Sequence, residues 1–122
     1  MIKELIFFLF AVLQIVTANR FDVLSPTVTE CMCATNVDAA LVQKWLYNRV
    51  FTKDACFMCF IKCVVTFLGI MDTAGFFSEN VSAAEFNVSI AIVQNCTDSV
   101  STLLDLCEKA YQHATCVVPH IP

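Results

Sequence analysis

Asp54-Ala55-Cys56-Phe57-Met58-Cys59-Phe60-Ile61-Lys62-Cys63-Val64 sets three cysteines at C-x2-C-x3-C inside an apolar run. Read as a helix, at about 100° per residue, the stretch carries Cys56, Cys59 and Cys63 on one face, within a roughly 100° arc. Neighbours on one helix do not pair comfortably with each other, because a disulfide needs Cβ vectors that converge. Each sulfur is therefore free to reach a different segment. The stretch reads as the post to which the other helices are tied.

Five further cysteines (31, 33, 96, 107 and 116) bring the total to eight in 122 residues. How they are read depends on the compartment. Met1 to Ala18 has an early positive residue (Lys3), an apolar run from Leu5 to Leu13 extended by Ile15-Val16, and small residues before a cut after Ala18. That is the layout of a secretory signal peptide. It is too short to span a bilayer, which takes roughly 20 apolar residues, and Gln14 interrupts it. We therefore expect residues 1–18 to be a signal peptide and residues 19–122 to form one small helical domain. An even cysteine count behind such a leader implies a disulfide framework. Zinc or an iron–sulfur cluster at C-x2-C-x3-C is the alternative that a reducing compartment would favour, and secretion argues against it.

The composition excludes several partners. The whole chain has net charge −4, and removing Lys3 with Glu4 leaves it unchanged. The six remaining basic residues (Arg20, Lys44, Arg49, Lys53, Lys62, Lys109) are scattered, so no basic stripe exists for nucleic acid or an anionic membrane surface. Nothing after the leader reaches spanning length without polar interruption, so stable membrane insertion is not expected.

Punctuation along the chain is mostly helix capping. Ser25-Pro26 reads as an N-cap with proline at the first helical position. Asn36 or Asp38 can cap a second helix, in which Val37, Leu41 and Trp45 recur at i, i+4, i+8 beside Val42, Leu46 and Val50. Thr52 can cap the third helix, which should run to about Leu68 and stop at Gly69. Ser82-Ala83-Ala84-Glu85 is a capping box expected to open a fourth helix reaching about Asn95. Thr102-Leu103-Leu104-Asp105 is a similar box for a fifth, to about Thr115. Glycine is scarce and strand alternation is absent: the fold class is all-α. In the last helix Cys107 and Cys116 are nine residues apart, half a turn after whole turns are removed. They face opposite ways and bond to different elements, so this helix is wedged between two neighbours.

The order Cys31, Cys59-x3-Cys63, Cys96, Cys107-x8-Cys116 resembles that of the insect odorant-binding proteins, the pheromone and general odorant binders. The resemblance covers essentially the whole mature chain, and Leu68-Gly69-Ile70-Met71-Asp72 and Cys107-Glu108-Lys109-Ala110-Tyr111 share it. It implies a compact bundle of about five to six helices around an apolar cavity. It also implies the interlocked bridges Cys31–Cys63, Cys59–Cys107 and Cys96–Cys116. Cys33 and Cys56 are surplus to the pattern, and we expect them to form a fourth bridge; Cys33–Cys63 with Cys31–Cys56 fits the sequence nearly as well. The gap from Cys63 to Cys96 is short for the family, which points to a trimmed fourth-helix region.

An apolar surplus independently leaves room for a cavity: eight phenylalanines follow the leader, with Trp45 and two tyrosines. The expected wall comprises Leu41, Trp45, Phe60, Val64, Phe67, Phe76, Phe77, Phe86, Ile90, Val93, Leu104, Tyr111 and Val118. Nothing points to catalysis, a cofactor or a metal: there is no G-x-S-x-G elbow, and Gly69 and Gly75 are the only glycines. His113 is expected with Asp105, Lys109 and Gln112 on the wet face of the last helix. His120 sits in a tail whose Pro119 and Pro122 speak against an extra helix. Three glycosylation sequons start at Asn80, Asn87 and Asn95, with Asn95 the poorest acceptor beside a bridged cysteine.

The function expected is that of a secreted carrier for a small hydrophobic ligand, an odorant or pheromone, in sensory fluid, as monomer or homodimer, with a sensory-neuron membrane receptor as a further partner. A salivary, venom or reproductive-fluid scavenger of amines or lipids would use the same fold. A disulfide-rich toxin or antimicrobial protein is the reading of another class, and it lacks the basic face that membranes require.

Overall fold

The structure, a computed structural model, describes residues 26–122. The leader expected over residues 1–18 and the capping role of Ser25 lie outside them. The chain divides into two compact units, Met1–Glu30 and Cys31–Pro122. Of the first, residues 26–30 are described, and they are helical. Helical residues continue through 31–35, and the segment 26–35 is α1. It ends at Asn36, a left-handed residue with φ 52°.

Five more α-helices follow: α2 (Ala39–Asn48), α3 (Ala55–Phe67), α4 (Glu79–Phe86), α5 (Ile90–Ser99) and α6 (Leu106–Val117). A 3₁₀ turn, Val118–His120, continues α6. Among the described residues the only β-pairing is one isolated antiparallel bridge between Met71 and Phe77. The all-α expectation holds, and no described helix is long and apolar enough to cross a membrane.

The helix starts sort the caps that the sequence offered. Asp38 caps α2 by accepting from the Ala40 amide. Asp54, not Thr52, caps α3, accepting from Phe57 N at 3.0 Å. The expected single helix from Ser82 to Asn95 is in fact two. Ser78 caps α4 and Ser89 caps α5, with a left-handed break at Asn87, φ 54°. Ser82 then falls inside α4 and is fully buried, where its hydroxyl cannot cap anything. Asp105, read as the third place of a box, is itself the cap of α6, accepting from Cys107 N and Glu108 N. A carboxylate there also meets the positive end of the helix dipole, which a threonine hydroxyl cannot match. The tail differs as well, since Pro119 stands where a short 3₁₀ turn can still begin.

α3 ends as expected, with Leu68 at its C-cap and Gly69 at φ 75°. The loop that follows is tight. Asp72 Oδ1 accepts from Ala74 N and Phe76 N, both at 2.9 Å. Gly75 has φ 91°, and a Cβ there would lie 2.5 Å from Leu106 Cδ2 on α6.

The core lies where α3 meets α6. α3 buries Phe57, Phe60, Ile61, Val64 and Val65, and α6 buries Ala110, His113, Ala114 and Val117. Both sets contain the i, i+3, i+4, i+7 spacing of one buried helix face. α5 adds Val93 and Cys96 from the far side of α6.

The disulfides fasten this arrangement. Cys31–Cys63 ties residue 31 of α1 to α3, Cys59–Cys107 ties α3 to α6, and Cys96–Cys116 ties α5 to α6. Cys107 and Cys116 do reach different neighbours, and α6 stands between α3 and α5. The expected fourth bridge is not formed: Cys33 and Cys56 are unpaired and exposed. The reason is one of offset. Cys33 is two residues from Cys31, about 3 Å along α1 and roughly 200° round it. Cys56 is seven residues from Cys63, about 10 Å along α3. Closing Cys31–Cys63 therefore carries the surplus pair apart.

Candidate functional site

Along α3 the Asp54 cap fixes the rotation of the first turn, which turns Phe57 and Phe60 inward on one stripe with Val64. Around them an aromatic cluster assembles from three helices and a loop. Trp45 of α2 meets Phe60 edge-on at 5.5 Å between ring centroids. Phe57 lies 5.9 Å from Phe60 and 6.4 Å from Tyr111 of α6. Phe51, between α2 and α3, closes the set at 6.2 Å from Phe57 and 6.1 Å from Tyr111. All but the tilted Phe57–Phe60 pair meet edge to face, and such pairs contribute about 0.5–1.5 kcal/mol each beyond their buried area. The Tyr111 hydroxyl donates to the Phe51 carbonyl at 3.4 Å, and burial raises its pKa above the ordinary phenol value.

Of the residues expected to line a cavity, this cluster gathers Trp45, Phe60 and Tyr111. Val64 and Val93 are buried; Leu41, Phe86 and Val118 are half-buried. Phe67, Phe76, Ile90 and Leu104 are exposed, Leu104 almost completely at 94 %, and they stand apart from the cluster. Phe51 and Phe57 belong to it and were missing from the expected wall. Phe57 was legible as three residues before Phe60 and seven before Val64; Phe51 sits in a loop and follows no period.

A second feature lies at the C-terminal end of α3. An open groove of about 490 Å³ is lined by residues of the α3 end and the loop after it, Thr66, Gly69, Met71, Asp72, Thr73, Phe76, Phe77 and Ser78. Phe77 is half-buried. Its ring stacks on the imidazole of His113, centroids 3.9 Å apart and planes within 14°, and Lys109 Nζ stands 5.8 Å from the same ring.

His113 is thus not on a wet face. It is fully buried, because position 113 shares its side of α6 with Ala110, Ala114 and Val117. Cys116, one turn further on and bonded to Cys96, draws α5 over that side. Burial lowers the His113 pKa to about 4, so the ring is neutral at physiological pH. Its Nε2 lies 3.4 Å from Thr97 Oγ1. Among the described residues its Nδ1 has no hydrogen-bond partner, nor has the buried Ser82 hydroxyl. Orphans of this kind cost about 1–3 kcal/mol each. At the surface, the sequon residues Asn80, Asn87 and Asn95 are all exposed.

Comparison with known proteins places this geometry. Residues 17–120 match the PBP/GOBP family. The chain is 35% identical over 114 residues, 84% of its length, to General odorant-binding protein 99a of Drosophila melanogaster, 77% of which is covered. No solved structure matches. With nearly the full described chain inside the family match, and with three interlocked bridges holding six helices, the chain belongs to the PBP/GOBP family.

Proposed function

We propose that the protein is an extracellular carrier that holds one small, uncharged apolar molecule, an odorant or pheromone, among its helices. The observation that carries the reading is the aromatic cluster of Trp45, Phe51, Phe57, Phe60 and Tyr111 between α2, α3 and α6. Rings meeting edge to face can part and close again over an aliphatic chain, exchanging aromatic contacts for ligand contacts at little net cost. The disulfides keep the helices that bear them together while they do so. The name of the Drosophila relative, an odorant-binding protein, supports the same class of cargo.

The energetics fit a carrier. Burying a twelve-carbon chain yields about 10 kcal/mol gross at ~0.8 kcal/mol per CH₂. Association and ordering offset ~4–15 kcal/mol of that. At the favourable end about 6 kcal/mol remains, a Kd in the tens of micromolar, loose enough for cargo to leave.

Secretion belongs to the same proposal. Residues 1–18 are removed as a leader, in keeping with a family match that begins at residue 17, and three disulfides suit an oxidising compartment. Delivery to a membrane receptor of a sensory neuron completes the role.

The test is displacement of a fluorescent naphthylamine probe by long-chain alcohols, esters and aldehydes. Displacement at micromolar concentrations supports the carrier. Probe binding that no uncharged apolar compound reverses would remove its basis.

A further inference from the structure

The chain offers three sequons, Asn80-Val81-Ser82, Asn87-Val88-Ser89 and Asn95-Cys96-Thr97, and the fold treats them differently. N-glycosylation reads the asparagine together with the hydroxyl two residues on, so both side chains must be reachable from one side. In a helix, residues i and i+2 point about 200° apart; in extended backbone they point the same way. Asn80 and Ser82 both lie inside α4. Asn80 is exposed, but Ser82 is 0 % exposed. Asn95 and Thr97 both lie inside α5. Asn95 is exposed and Thr97 half-buried, with its hydroxyl 3.4 Å from Nε2 of the buried His113. Between them stands the bridged Cys96. The middle sequon is different. Asn87 occupies the break between the two helices, left-handed at φ 54°, a conformation in which asparagine is enriched. Val88 is non-helical, and Ser89 is extended at φ −69°, ψ 151°. Asn87 and Ser89 are both exposed.

We infer that Asn87 carries an N-linked glycan and that Asn80 and Asn95 stay bare. The inference rests on the reading of the chain as secreted, since the transfer takes place along the secretory route. The co-substrate is an oligosaccharide joined to a lipid through a diphosphate. The side-chain nitrogen of Asn87 bonds to the anomeric carbon of the first sugar, and the bond from that carbon to the diphosphate oxygen breaks. The nitrogen gives up one proton, and the lipid diphosphate leaves. The fold has room for the product. The hydrogen bond that closes α4 is made by the backbone N–H of Asn87, to the Ala83 carbonyl, so the side chain is not what ends the helix. One turn on, Ile90 is an exposed large apolar residue, and a glycan at the α4–α5 break hydrates that end of the molecule.

The test expresses the full chain in insect cells and takes the protein from the medium. Digestion with a peptide N-glycosidase that tolerates core fucose, in heavy-oxygen water, turns each occupied asparagine into a heavy aspartate, which fragment-ion mass spectrometry locates. Asn87 should carry the label, and Asn80 and Asn95 should not. Two variants remove the sequon and keep the turn: Asn87→Gly retains a residue suited to positive φ, and Ser89→Asp retains an N-cap for α5. Each should lose the mass of one glycan and run at the mass of the bare chain. Secreted wild type with an unlabelled Asn87 overturns the inference, and so does labelling of Asn80 or Asn95 to the same extent as Asn87. A glycan that persists in either variant overturns it too. These results leave the secreted reading standing. A chain that keeps residues 1–18 and stays inside the cell overturns that reading, and the glycan with it.

Discussion

Lowering the pH from 7.5 to 5.5 should weaken the fold through His113, by an amount the structure fixes. In the folded protein its pKa is lowered to about 4 by burial; in the unfolded chain it returns to about 6.5. Between those values the unfolded state binds a proton that the native state refuses, so stability falls as pH falls. The loss begins just below pH ~6.5 and is complete below pH ~4. Over the whole window it reaches about 3 kcal/mol, at ~1.36 kcal/mol per pKa unit. By pH 5.5 about 1.3 kcal/mol of it has appeared, which lowers Tm by roughly 5–10 °C in a domain of this size. The assay is guanidinium and thermal denaturation at both pH values, disulfides intact, for the wild type, His113→Phe and His120→Ala. The wild type and His120→Ala should lose stability together, and His113→Phe should lose little between the two pH values. Equal losses in wild type and His113→Phe would refute the reasoning, as would a wild type more stable at pH 5.5.

Other consequences can be checked on the same material. Phe57→Ala removes a ring that is 0 % exposed and touches three others in the aromatic cluster, so a destabilisation of about 3–5 kcal/mol is expected in denaturant melts; a loss under 1 kcal/mol would mean the cluster is not packed as described. Alkylation of the native protein, followed by non-reducing peptide mapping, should label Cys33 and Cys56 alone, since both are exposed and unpaired. Recovery of a Cys33–Cys56 peptide instead would restore the fourth bridge. Affinity for an uncharged ligand should change less than about tenfold between pH 7.5 and 5.5, because His113 stays neutral throughout that interval. A large loss at pH 5.5 that His120→Ala abolishes would assign release to the tail.

Much of the framework was legible because it follows from rotation about a helix axis. The half-turn offset of Cys107 and Cys116 said that α6 is sandwiched, and the stops at Gly69 and the apolar stripe of α3 needed nothing beyond the sequence. The caps of α3, α4 and α6 were misread as Thr52, Ser82 and Thr102, where Asp54, Ser78 and Asp105 are used. Thr52 and Asp54, Ser78 and Ser82, Thr102 and Asp105 are each two to four residues apart, and any of them satisfies a local rule. Which one is used depends on where the helix must present its buried stripe, a tertiary condition. Ser82 shows this, since its box is well formed but α4 is capped by Ser78 and begins at Glu79, which puts Ser82 inside the helix and buries it.

His113 was misplaced for a related reason. A wheel drawn on α6 alone groups it with the charged residues Asp105 and Lys109. The wedge argument, carried one step further, would have placed it inside, because a residue three before the bridged Cys116 faces the element that Cys116 binds. The surplus cysteines failed differently: whether they pair depends on how residues 31–33 are offset from α3 once Cys31–Cys63 has closed, and one sequence does not contain that distance.

Trp45 offers the most direct test of the central claim. It is the only tryptophan in the chain, and it packs edge-on against Phe60 inside the cluster proposed to open around cargo. Its emission is to be followed while dodecan-1-ol is titrated into the native, leader-free protein at pH 7.5. Binding among these helices predicts a saturable change with one ligand per chain and a midpoint roughly in the tens of micromolar, lost when Phe60 and Tyr111 are both replaced by alanine in a variant that still melts cooperatively. An emission that stays constant through saturation, while the alcohol remains soluble, would contradict a carrier built on this cluster.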